Sequence, residues 1–198
     1  MKNFLDLELT LRCTIQTIKD LKGVIMILEI IQSPQDLKVL STEDLHNVVD
    51  EARQALLEKT SHHGGHNGPN FGVVEMTVAM HYVFNSPVDK FIFDVSHQSY
   101  VHKMLTGRAQ AFIDPEHYDD VSGYTNPKES EHDLFTVGHT STSLSLASGV
   151  AKARDLKGKS YNVVAVIGDG SLSGGMAYEG LNTIATTGTN TIVIVNDN

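Results

Sequence analysis

The chain is short of several things, and each shortage excludes something. It has one cysteine, Cys13, in 198 residues, so no internal disulfide can form; this fits a reducing cytoplasm. Basic residues are few: 15 Lys and Arg stand against 24 Asp and Glu, a formal net charge of -9. Without a basic stripe the chain lacks the electrostatic footprint of a nucleic-acid binder. An anionic ligand would have to be held by backbone N–H groups, histidines or a bound cation. No apolar run reaches the roughly 18 residues that mark a membrane span. Asp6, Glu8 and Arg12 interrupt the N-terminal apolar stretch, which is therefore not a secretory signal. Internal repeats and low-complexity tracts are absent.

What remains is a globular composition, 40% hydrophobic and 20% charged. It suits one domain, or one domain and part of another.

Residues 1–25 stand apart. Leu5, Leu7, Leu9 and Leu11 alternate with polar residues, the pattern of an edge strand, and a disordered arm fits as well. A third reading takes Met26 as the true start. Lys22-Gly23 can be encoded by a purine-rich stretch just upstream of the Met26 codon, which resembles a bacterial ribosome-binding site read in frame.

From Met26 the pattern becomes regular. Ser41 to Asp44 can start a helix, and Leu45, Val48, Val49, Ala52 and Leu56 recur at helical spacing, predicting an amphipathic helix near 43–59. A Gly- and His-rich loop follows. Residues 73–84 are apolar nearly all round and predict a buried helix. Residues 90–95 predict a buried strand, and 96–107 a helix closed by Gly107. Residues 108–135 are polar and irregular, a loop long enough to be functional. Then come a small-residue helix over 138–158, a strand over 161–167, a helix over 173–188 and a strand over 191–196. Strands alternating with helices predict an α/β fold, a parallel sheet in three layers with helices on both faces.

The last strand–helix–strand unit carries the chemistry. Its first strand runs into "GDGSLSGG" and its second into "NDN". Gly168 would permit a tight turn, and Gly170 would let a ligand approach the backbone. The following helix would aim its free N–H groups at a phosphate. A right-handed crossover brings both strand ends to one edge, so Asn198 is expected beside Asp169. A carboxylate and an amide oxygen next to a phosphate make a partial octahedral shell of the kind Mg²⁺ takes. On the glycines alone, an ordinary turn with Asp169 as a helix cap is the simpler reading; the pairing of GDG with NDN favours the metal and diphosphate. The pattern does not fit G-x-G-x-x-G, and the Gly-Lys-Ser/Thr of a P-loop is missing.

GDG followed about thirty residues later by NDN is similar to the thiamine diphosphate signature of the transketolase superfamily. Within it, residues 72–108, 122–133, 137–158 and 168–182 resemble the 1-deoxy-D-xylulose-5-phosphate synthase family, and the likeness extends from Met26 to Asn198. The resemblance implies a thiamine diphosphate-binding fold. It implies Asp169 and Asn198 as Mg²⁺ ligands, with Asn198 also at the cofactor. Gly170 and Ser171 match diphosphate contacts, and His97 a histidine that touches the cofactor. Gly138, His139 and Thr140 match the stretch that lines it, and His66 a catalytic histidine that handles protons. Two positions depart from the family pattern: Ser96, where glycine is usual, and Thr140, where serine is usual. Ser96 could disturb the backbone if the position needs a positive φ.

The other histidines are expected to be structural: His46, His81 and His117, with His102 ranked well below His97. A zinc cluster of His62, His63 and His66 lacks a fourth ligand.

The resemblance also implies substrates, pyruvate and glyceraldehyde 3-phosphate, joined with loss of CO₂, and either a homodimer or a C-terminal half. In the family a second domain supplies the glutamate that activates the thiamine ring. Residues 26–198 are accordingly expected to be a partial cofactor domain, incomplete at the C-terminus and without turnover alone. Its origin would be an interrupted synthase, a split enzyme or a non-catalytic remnant.

Overall fold

Three short β-branched and aromatic runs form the sheet: β1 (Lys90–Phe93), β2 (Val163–Gly168) and β3 (Ile192–Asn196). The computed structural model describes residues 26–197; the leucine alternation of 5–11, the choice of start at Met26 and Asn198 lie outside them. All pairing is parallel, in the order β1-β2-β3. Period-2 alternation splits the strand side chains between two faces. Ile92, Val163, Ala165, Ile167 and Val193 point into one cluster with Leu144, Ala147, Ala151 and Ala177. Phe91, Phe93, Val164, Val166, Ile192 and Ile194 point the other way, onto Met76 and Met80. The sheet is therefore covered on both faces, as an α/β fold requires.

The first face is covered by two helices, Ser143–Leu156 and Gly175–Thr187, and the second by Val74–Val83. In chain order the helices are α1 (Ile27–Ile30), α2 (Pro34–Leu37), α3 (Thr42–His63), α4 (Asn67–Phe71), α5 (Val74–Val83), α6 (Tyr100–Lys103), α7 (Gln110–Ile113), α8 (Ser143–Leu156), α9 (Asp169–Leu172) and α10 (Gly175–Thr187). A second core lies among the early helices, where Leu28, Leu37, Leu56, Val101, Leu105 and Phe112 pack together. No helix among the described residues is long and apolar enough to cross a membrane.

The structure departs from the sequence expectations at several ends. Helix α3 starts where predicted, with Ser41 Oγ accepting from the Asp44 N–H at 3.1 Å, but runs on through His63. Helix α5 is not buried all round: Val74, Thr77, Val78 and His81 face inward while Tyr82 and Val83 are exposed. Strand β1 stops at Phe93, because Val95 and Ser96 take φ of 59° and 68°. For the same reason 96–99 are not helical, and α6 begins only at Tyr100. Gly107, with φ 84°, does break the helical run. The helix predicted from 138 starts at Ser143, after a loop in which Ser141 takes φ 68°.

Helices α8 and α10 pack closely at Gly180. A Cβ there would lie 2.8 Å from Leu144 Cβ and 3.0 Å from the Ser145 backbone nitrogen. Overpacking against a backbone outweighs the helix propensity alanine would add. Gly180→Ala is therefore expected to lower stability by about 1–2 kcal/mol, read as a lower urea midpoint at unchanged m-value.

Candidate functional site

Parallel strands end together, and ligands of such sheets bind outside their carboxyl ends. Here that edge is built by three loops. The first leaves β1 through Asp94–Ser99. The second is 136–142, leading into α8. The third is α9 and the turn after it. Their convergence depends on Asp94, which is 3% exposed. Its carboxylate accepts three consecutive backbone N–H groups: Ser141 at 2.8 Å, Thr142 at 2.9 Å and Ser143 at 2.8 Å. These are orphan donors at the start of α8, and a carboxylate there also suits the helix dipole. The second loop joins the third through Ser141 Oγ, which donates to the Ser171 carbonyl at 2.6 Å. Gly174 makes that contact possible, since a Cβ on it would lie 2.1 Å from Ser141 Oγ.

Gly138, His139, Thr140, Asp169 and Gly170 are exposed, and Ser171 is half-buried; the Ser141–Ser171 bond brings their two segments together. A Cβ on Gly138 or Gly170 would meet nothing within 4 Å, so both border open space. Gly168 makes no tight turn: at φ -80° and ψ 154° it continues the strand. The helix directly after it, α9, is a single turn, and α10 starts six residues later with Gly174 as its cap. Gly168 stands in register with Asn196, so the two strand ends lie side by side. Asn198 is outside the described residues. Among those residues no group of three or more His, Cys, Asp or Glu forms a metal-holding cluster, the His62–His63–His66 trio included.

His66 and His97 meet. Their rings pack edge to face with centroids 5.4 Å apart, and Tyr124 closes on His66 at 5.2 Å. Buried Asn70 holds both histidines by their backbones, its Nδ2 donating to the His66 carbonyl at 2.6 Å and the His97 carbonyl at 2.8 Å. Burial, and then the nearby His66, lower the pKa of His97. Among the described residues eight buried side-chain polar atoms lack a hydrogen bond of good geometry, and two of them, His97 Nδ1 and Asn196 Nδ2, lie at the strand ends. Unmade bonds of that kind are rare in folded proteins.

Position 96 has a left-handed backbone, in which glycine carries no steric cost. Serine is held there by its hydroxyl: Oγ donates to the Val137 carbonyl at 3.1 Å and accepts from the Thr125 N–H at 3.3 Å. Three segments, 96, 125 and 137, are thereby tied.

Sequence reasoning missed Asp94, Asn70 and Tyr124, and it left His81 as structural and ranked His102 below His97. His81 and His102 belong to a buried ionic network that anchors the loop 122–137. His102 Nε2 bonds Asp133 Oδ1 at 2.9 Å, and its Nδ1 faces His81 Nε2 at 2.9 Å. Arg108 makes a two-pronged contact with Asp133 at 2.8 and 2.9 Å. Lys103 pairs with Glu129, and Asp133 also accepts the Asn126 N–H at 2.8 Å. Burial opposes ionisation of Asp133, but hydrogen bonds from Arg108 and His102 overcome it and hold the carboxyl well below its usual range. Burial lowers the pKa of His81 and His102. Burial and the neighbouring His102 lower His132 to about 4. The only signal in the sequence was the density of charge around 102–133; the partners are set by tertiary structure.

Residues 28–198 match a family model described as 1-deoxy-D-xylulose-5-phosphate synthase. Curated proteins of that description are similar along the same stretch. The one from Caldanaerobacter subterraneus subsp. tengcongensis is 57% identical over 171 residues, 86% of this chain and 28% of the relative. The one from Dictyoglomus turgidum is 54% identical over 173 residues, 87% and 28%. The one from Corynebacterium diphtheriae is 59% identical over 174 residues, 87% and 27%. The chain thus spans little more than a quarter of the length of these relatives.

Two outcomes are expected. Ser96→Ala loses both hydroxyl bonds and keeps the backbone strain, whereas Ser96→Gly loses the bonds and sheds the strain. Urea unfolding should find the glycine variant more stable than the alanine variant by about 1 kcal/mol. Stability should also fall with pH between about 7 and 5. His81, His102 and His132 have folded pKa values below their unfolded ones, so the unfolded chain binds more protons in this window. Each of the three can add at most about 1.4 kcal/mol per pH unit, measurable as urea midpoints across the range.

Proposed function

The chain belongs to the 1-deoxy-D-xylulose-5-phosphate synthase family, and from that membership we propose that it forms the N-terminal, thiamine diphosphate-binding part of such a synthase. The reaction would join the two-carbon unit of pyruvate, with loss of CO₂, to glyceraldehyde 3-phosphate. The observation that carries this reading is the convergence of three loops at one sheet edge, where two buried polar atoms, His97 Nδ1 and Asn196 Nδ2, lack a hydrogen bond of good geometry among the described residues.

The residues fit the group. A diphosphate needs donors and room, and Gly138 and Gly170 leave the backbone open on two sides. Gly170 and Ser171 would take the diphosphate. Asp169 would hold Mg²⁺, with Asn198 as the second protein ligand. His97 and the 138–140 segment would line the cofactor. When bound, thiamine diphosphate supplies the thiazolium carbon to which the two-carbon unit attaches.

The chain's own residues have separable tasks. Asp94 and Ser141 keep the two glycine-bearing loops at a fixed spacing, so that little ordering is needed when an anion arrives. Burial lowers the pKa of His97, which favours the uncharged ring that suits packing against an organic cofactor. His66, half-buried beside it, would exchange protons with substrate. Tyr124 and Tyr100 shield His66 from bulk water on two sides.

Calorimetric titration of the 198-residue chain with thiamine diphosphate should show binding that requires Mg²⁺. Asp169→Ala should weaken it by roughly tenfold or more, the cost of losing one hydrogen-bonded or metal-bound charge. Equal affinity in parent and variant, or binding indifferent to Mg²⁺, would reject the assignment.

A further inference from the structure

His66 has two ring nitrogens, and its chemistry depends on which one carries the proton. The hydroxyl of Tyr100 bears on this choice. Tyr100 is 5% exposed and rises from the first turn of α6. Its Oη accepts the backbone N–H of His66 at 3.2 Å and lies 3.3 Å from His66 Nδ1. A phenol has a single proton to give. With the amide already donating to it, that proton is directed at Nδ1. The reverse arrangement, Nδ1–H donating to Oη, would leave the hydroxyl proton with no acceptor in a buried site, a costly outcome. In the neutral ring Nδ1 is therefore the acceptor and Nε2 carries hydrogen.

The surroundings are built to keep the hydroxyl in place. A Cβ on Gly65 would lie 2.8 Å from it, and one on Gly123 would lie 3.4 Å from both Oη and His66 Cε1. The Tyr100 N–H donates to Asn70 Oδ1 at 2.9 Å, and the same Asn70 holds the His66 carbonyl. The Tyr100 ring packs on Phe112, with centroids 5.4 Å apart. His66, by contrast, is half-buried, and among the described residues no hydrogen bond reaches its Nε2.

We propose that Tyr100 is a positioning residue that fixes His66 as the Nε2–H tautomer, so that His66 meets its ligand as a hydrogen-bond donor to an oxygen acceptor, phosphoryl or carbonyl. The donor role rests on the cofactor reading above; the tautomer does not.

The test is long-range ¹H–¹⁵N NMR of the ¹⁵N-histidine-labelled 198-residue chain at pH about 8, above the ordinary histidine range, with no cofactor added. His66 is assigned from the peaks lost in His66→Gln. In the parent, His66 should show Nε2 protonated and Nδ1 as the bare, hydrogen-bonded nitrogen. In Tyr100→Phe the ratio of Nε2–H to Nδ1–H should fall about fivefold, the population ratio that one ordinary hydrogen bond sustains. Tyr124→Phe should leave the ratio unchanged, because its ring touches His66 without a hydroxyl bond to it. A parent spectrum with Nδ1 protonated overturns the proposal, even if Tyr100→Phe does not fold. An unchanged ratio in a folded Tyr100→Phe overturns it too. Since the spectrum is free of cofactor, a failed tautomer and a failed thiamine assignment are told apart.

Discussion

One carboxylate sets the geometry of the sheet's carboxyl edge. Asp94 leaves β1 and binds three successive N–H groups at the entrance to α8. Charge-assisted bonds of this kind are short and stronger than neutral ones, and burial removes competing water. The end of β1, the loop 136–142 and the start of α8 become one unit, and Ser141 extends that unit to the α9 turn. If Asp94 let go, the glycine-bearing loops would have no fixed spacing, and the strand ends would present separate flexible tips.

A second polar system serves the far side of the same region. The His81–His102–Asp133–Arg108 cluster contributes little by the mere presence of ion pairs, since desolvating charges offsets most of their attraction. Its importance lies in direction. Asp133 reaches two side chains and the Asn126 backbone, so the long loop between α7 and α8 is fastened near its middle. That loop brings Tyr124 to His66 and Thr125 to Ser96. An irregular segment so fastened can shape a site as firmly as a strand does.

Much of the frame was legible in the sequence. The β-branched runs at 163–167 and 192–195 read as strands, the first buried and the second, last in the strand order, half-buried with Val195 exposed; Ser41 announced a helix start, and Gly107 a stop. The pairing of GDG with the end of β3 could be read because crossover handedness brings parallel strand ends to one edge. What could not be read depended on partners far along the chain. Asp94 looks like any acid after a strand; its partners are backbone amides 47 to 49 residues away, and amides leave no trace in a sequence. The positive φ at Val95 and Ser96 cut short both a predicted strand and a predicted helix, against the usual preference of these residues. The outward face of α5 misled for another reason: Tyr82 and Val83 are apolar, yet nothing among the described residues covers them.

Because Asp94 grips main-chain amides, it is indifferent to the identity of the side chains at 141–143. Every residue except proline offers the same donor. Of the three, Ser141 and Ser143 are buried and Ser141 Oγ also holds the Ser171 carbonyl, so Thr142, half-buried, is the position where hydroxyl, bulk and polarity can change while the scaffold beneath keeps its shape. The clamp thus separates architecture from surface chemistry at 142, while at 141 the side chain and the backbone serve the same scaffold.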